Sequence, residues 1–203
     1  MTANAGGTMR MLAAPCVAVG LAVAPGPVSG QWGIAAEIGV ARFGGSSRDT
    51  SGITVGPYRP TTFELRVDRG FGPARVAVAV MYAKTGIAGE QAGMALVQYD
   101  LASFWEIAPQ LSFRLARFGA GVDVRVEAGP AVERWDVDGA RRTRVAARTA
   151  AALEWPLAQA FTGSLRVSGI LSGSVFDAGE TPAGVERRAT RRVGVAVGLR
   201  YRL

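Results

Sequence analysis

From Val193 to Leu203 the apolar residues take every odd position: Val193, Val195, Val197, Leu199, Tyr201 and Leu203. Gly194, Ala196, Gly198, Arg200 and Arg202 take the even ones. An unbroken period of two predicts a strand with one face in an apolar medium. The same alternation recurs upstream and predicts strands over Trp32–Phe43, Thr61–Arg69, Ala74–Lys84, Phe104–Leu115, Val122–Trp135, Arg144–Trp155 and Phe161–Val175. Turn formers fill the intervals. Long connections are expected at Gly44–Pro60, Thr85–Ser103 (where Leu96–Leu101 could instead extend the fourth strand), Asp136–Thr143 and Phe176–Arg187, and short ones at Gly70–Pro73, Arg117–Gly121 and Pro156–Ala160. Pro109 cannot donate to a ladder, so a bulge or irregularity is expected there.

Eight strands form an even set that closes without a free edge, which predicts an all-β, antiparallel, up-and-down barrel. Each predicted strand is long enough to cross a bilayer at a tilt. One face of the alternation carries both signs of charge. Glu37, Glu64, Arg66, Glu106, Arg114, Arg125, Glu127, Arg148, Glu154, Arg166 and Arg200 share it. An eight-stranded barrel is just wide enough to be filled by side chains, so these groups are expected to meet as ion pairs in a plugged lumen. Glu37, Glu127, Arg148 and Arg166 are its expected centre. The opposite face places Tyr82, Trp105, Trp155, Phe161 and Tyr201 near strand ends, as interfacial girdles require.

The first thirty residues differ from the rest. Met11–Ala24 is an apolar run preceded by Arg10, too short to span a bilayer, and Pro25-Gly26-Pro27 and Val28-Ser29-Gly30 follow it. This predicts a cleavable signal peptide over 1–30 and a single barrel domain over 31–203. Cys16 is the only cysteine and lies inside the leader, so no disulfide framework is expected in the mature chain. Histidine is absent, which excludes Ser–His catalysis and histidine-based zinc sites. Asp136-Val137-Asp138-Gly139 has incomplete spacing for a calcium loop and reads as a turn. No catalytic residue, cofactor or metal site is predicted. The net charge of +7 comes from arginines dispersed along strands, so no nucleic-acid partner is expected.

The ending Gly198-x-x-Tyr201-x-Leu203 resembles the C-terminal signal of bacterial outer-membrane β-barrels, although Ala196 stands where a polar residue is usual. Over nearly its whole mature length the chain resembles the eight-stranded OmpA and OmpX type. That resemblance implies a location in the outer membrane of a Gram-negative cell envelope, recognition of Gly198, Tyr201 and Leu203 by the barrel-assembly machinery, and a monomeric barrel with a structural or surface-interactive role. It places the termini in the periplasm and the longer connections outside. Arg42, Arg134, Arg187 and Arg191 then form a candidate rim for lipopolysaccharide phosphates. Two alternatives stay open: a soluble periplasmic barrel holding an apolar small ligand, and a small passive, porin-like channel.

Overall fold

The computed structural model describes residues 31–44, 54–91, 94–175 and 188–203. The predicted leader, most of the first expected connection and the whole expected loop Phe176–Arg187, with its rim candidate Arg187, lie outside these. Eight strands follow in order: β1 (Trp32–Gly44), β2 (Thr54–Phe71), β3 (Ala74–Gln91), β4 (Met94–Phe118), β5 (Val122–Val137), β6 (Ala140–Pro156), β7 (Phe161–Ser172) and β8 (Thr190–Arg202). Each pairs antiparallel with its sequence neighbours, and β8 pairs back onto β1 to close the barrel.

The stagger follows from the register. A path from Trp32 through Arg69, Val76, Leu111, Ala128, Thr149, Gly169 and Val193 returns to β1 at Arg42, ten residues higher. Stagger and strand number together set the tilt, here on the order of 40°. Both terminal strand ends lie at one end of the barrel, with the β2–β3, β4–β5 and β6–β7 turns. Here Gly70 N donates to Gln31 O, and Leu203 N donates to Trp32 O, each at 3.0 Å. We call this the terminal end, and the opposite one the hairpin end.

The strands at the hairpin end run further than their alternation predicts. Thr85–Ser103 is mostly ladder, because β3 continues to Gln91 and β4 begins at Met94. β2 begins at Thr54, within the expected first loop. The reason is a change of phase. The β2–β3 register shifts between Tyr58 and Thr61, and the β3–β4 register between Thr85 and Ile87. In β3 the buried set passes from Met81, Ala83 and Thr85 to Gly86 and Ala88, so no single period of two spans the segment. Thr85 Oγ1 donates to Tyr58 O at 2.8 Å, occupying a carbonyl beside the shift.

The expected loop Asp136–Thr143 shrinks to a two-residue turn, Asp138-Gly139, with φ of 50° and 78°. Positive φ at both positions is the hairpin-matching geometry, and the Asp138-Gly139 turn pair read in the sequence is confirmed. Asp136 Oδ1 accepts from Gly139 N at 3.1 Å, so this aspartate braces the turn.

Pro109 disturbs the β4–β5 ladder, but no residue is inserted beside it. Ile107 pairs with Val132 and Leu111 with Ala128, with no rung between, and that register sets Pro109 opposite Pro130. The bulge lies further on, between Arg114 and Ala116. β7 ends at Ser172, not Val175, and Val175 is buried where an outward position was expected.

Candidate functional site

The barrel is inverted relative to a water-soluble one. Among the described residues, eight carboxylates and seven guanidinium groups are buried. Outward positions are apolar: Val40, Leu65, Leu115, Val145 and Val193 are each more than half exposed. Period-two alternation produces both facts, because successive side chains of a strand point to opposite faces of the sheet. The expected girdle residues Tyr82, Trp105, Trp155, Phe161 and Tyr201 all sit on the outer face. Tyr82 lies 4.7 Å from Trp105 and Phe161 5.1 Å from Tyr201, centroid to centroid.

Inside, the charges meet in two linked groups. In the first, Arg166 holds both oxygens of Glu37 (2.9 and 3.1 Å) and also bonds Glu127. Arg66 donates to Glu37 at 3.0 Å and lies 3.8 Å from Glu127. Two acids and two bases alternate around this ring, supplied by β1, β2, β5 and β7.

In the second group Arg148 donates to Glu64 at 2.6 Å and Glu106 at 2.8 Å. Arg192 bonds Glu106 and lies 3.3 Å from Glu133. Gln110 joins the two groups when its amide nitrogen faces Glu127 (3.2 Å) and its oxygen faces Arg148 Nε (3.1 Å). Burying a charge costs several kcal/mol unless it is paired and hydrogen bonded, which accounts for this density of contacts. Glu37, Glu127 and Arg166 thus meet directly, as expected, while Arg148 belongs to the neighbouring group.

The other expected lumen residues lie toward the terminal end. Arg200 holds Asp68 through two bonds (2.8 and 2.6 Å), and Arg75 holds Glu154 likewise (2.7 and 2.8 Å). Arg117 grips Asp123 at 2.7 and 3.0 Å, and Arg114 stands 3.7 Å from the same carboxylate. Arg125 is only 1% exposed, and its partners are Ser112 and the Pro73 carbonyl. Asp68, Arg75, Asp123, Glu133 and Arg192 join the network without having been singled out in the sequence. Each lies on the charged parity of its strand, and that parity alone suffices to find them.

An apolar stopper at the hairpin end was not anticipated. Phe104 and Trp135, both fully buried, stack at 4.4 Å, and Phe43 packs edge-on to both. Met81, Ala83, Ala102, Val137 and Val175 surround them. Arg192 spans the boundary, with its guanidinium 4.9 Å from the Phe104 ring centre and its charge on Glu106. Cation–π contact lets the arginine face the stopper without losing its carboxylates.

The three described rim arginines do not form one cluster. Arg42 and Arg191 are outward on adjoining strands, one diagonal step apart in the β1–β8 register. Arg134 stands on β5, away from both. There, with Arg141, Asp136 and Thr143, it edges an outer-surface groove whose other wall is Val80, Trp105, Ile107 and Val132.

No protein-family model matches the chain, and no curated protein matches it. Solved structures do. Neisserial surface protein A superposes with a TM-score of 0.57 at 12% identity, over 84% of this chain and 96% of that one. Ail of Yersinia pestis, crystallised with the heparin analogue sucrose octasulfate, gives 0.47 at 13% identity over 86% and 99%. The N-terminal β-barrel domain of Pseudomonas aeruginosa OprF gives 0.44 at 14% over 85% and 99%. The first of these shows that the closed eight-stranded barrel is a fold this chain shares.

Proposed function

We propose that the chain is an integral protein of the bacterial outer membrane, with a lumen closed to free passage and a role exercised at its surface. The observation that carries this is the inverted polarity of a closed barrel. Side chains such as Leu65, Val145 and Val193 need an apolar medium, and the paired charges inside have no use for one. Charged layers below the Phe104–Trp135 stopper favour a filled interior over a channel. The same layers leave little apolar lumen for the ligand of a soluble barrel. No catalytic constellation is assigned.

At the hairpin end, placed outside the cell, the outward arginines lie where outer-leaflet phosphates would be. Arg134 and Arg141 beside Trp105 and Ile107 combine charge for a headgroup with an apolar wall for an acyl chain. Arg42 and Arg191 supply a second charged point.

Fractionation of the native host, with a heat-modifiability gel on the membrane fraction, tests the location. Recovery in the outer membrane, with a folded band that shifts on boiling, is the expected result. Recovery as a soluble periplasmic protein overturns it. Planar-bilayer recording tests the closed lumen, and steady ohmic conductance refutes it. For the surface role, lipopolysaccharide should raise the melting temperature of the wild type. The gain should shrink in Arg134→Ala and in Arg42→Ala with Arg191→Ala, and an unchanged gain removes the lipid reading.

A further inference from the structure

The terminal end of the barrel opens into a cavity of about 390 Å³. Six arginines line it (Arg75, Arg114, Arg117, Arg125, Arg200 and Arg202) against two carboxylates, Asp123 and Glu154. Three of the six are matched one to one: Arg75 by Glu154, Arg117 by Asp123, and Arg200 by Asp68 just inside the cavity. Arg114 shares Asp123 at 3.7 Å. Arg125 and Arg202 have no carboxylate within 4 Å among the described residues.

Arg125 is the decisive group. Its Nε and Nη2 are spent on neutral acceptors, Ser112 Oγ at 2.9 Å and Pro73 O at 3.1 Å, which fix the guanidinium plane. Its charge is buried at the cavity wall with no carboxylate in direct contact, and Glu154, Glu127 and Asp123 act on it only from further away. Elsewhere in this lumen buried arginines such as Arg148 and Arg166 meet carboxylates directly. Arg202 is anchored by one bond to Gln159 O at 2.7 Å, and its Nε has no partner.

We propose that this cavity is a binding site for a phosphate-type oxyanion, held by Arg125 with Arg114 and Arg202. A monocarboxylate would neutralise only one of these three arginines and leave surplus positive charge. A phosphate monoester carries nearly two charges and enough acceptor oxygens for Arg114, Arg202 and the remaining Nη1 of Arg125. The cavity opens along the barrel axis into water, so a soluble phosphate ester reaches it directly, whereas a phospholipid headgroup must fold in over the rim.

The test is isothermal titration of the refolded barrel in maltoside micelles with inorganic phosphate and with pyrophosphate, against chloride at matched ionic strength. Saturable binding of the phosphates alone is expected. Affinity should fall at least tenfold in Arg125→Gln and severalfold in Arg202→Gln, a more accessible position that spares the folded core. Arg59→Gln, an exposed position on β2 at the other end, should bind as the wild type does. Repeating the titration with phosphatidylglycerol in the micelles separates the sources. Unchanged affinity assigns a soluble phosphate, and competition by the lipid assigns a headgroup. Binding no stronger than chloride, or binding indifferent to both Arg125→Gln and Arg202→Gln, overturns the proposal.

Discussion

Arg166 and Glu37 lie 129 positions apart in the chain, yet both carboxylate oxygens of Glu37 accept from Arg166, at 2.9 and 3.1 Å. β7 and β1 are not neighbours in the sheet, since β8 lies between them; the pair meets inside the lumen and ties two non-adjacent strands together. Removing Arg166 leaves two buried carboxylates, Glu37 and Glu127, sharing the single charge of Arg66. Arg166→Met should therefore destabilise the barrel by about 3–5 kcal/mol, the range for a broken buried pair. Urea unfolding in micelles, followed by tryptophan fluorescence, measures it. A loss below about 1 kcal/mol would mean that the ring is solvated.

The outer belt gives a sharper discrimination between media. Val195 is outward and sits mid-strand, paired with Val40 and Val167. In a bilayer, Val195→Arg should cost about 2–4 kcal/mol at the midplane. On a soluble barrel the same change at an exposed site should be near neutral. Unfolding in lipid vesicles decides between them.

Glycine is required at Gly129. A Cβ there would overlap the Pro109 carbonyl, where the β4–β5 ladder is interrupted. Gly129→Ala should lower the yield of the heat-modifiable folded band. Gly194→Ala meets nothing closer than 3.3 Å and should be mild.

Two variants on the terminal strand should separate packing from assembly. A Cβ on Gly198 would run into the Glu37 side chain and approach Ala36 O to 2.9 Å, so Gly198→Ala should weaken the purified barrel itself. Tyr201 is outward against Phe161, outside the packed lumen. Tyr201→Ala should leave in vitro stability within about 1 kcal/mol, the scale of one exposed aromatic contact, and reduce assembly in cells. Similar behaviour of the two variants in both assays would remove the distinction.

Trp135 tests the stopper. Trp135→Ala should cost about 3–5 kcal/mol, as expected for a large buried aromatic, in a thermal or urea melt. It should not by itself create conductance, because Arg192 and Glu106 fill the layer beneath.

Alternation alone determined the fold class, the strand count and the parity of nearly every side chain, because period two is a local property of an extended chain. It likewise set Glu37, Arg66, Glu127, Arg148 and Arg166 on one face. Pairing was beyond its reach. That Arg166 serves both Glu37 and Glu127, or that Arg148 bridges Glu64 and Glu106, depends on the ten-residue stagger, which no single strand encodes. The Leu96–Leu101 extension of β4 was an open alternative in the pattern, but the arm of β3 beyond Lys84 was hidden, because the register shift near Thr85 inverts the phase from which it would be read. Phe104 and Trp135 joined the interior because closure carried the inward parity past the charged layers. The surplus of Arg125 likewise emerged only once its neighbours were fixed in space. A charge has a partner or lacks one only at a distance, and distance across the barrel is decided by closure.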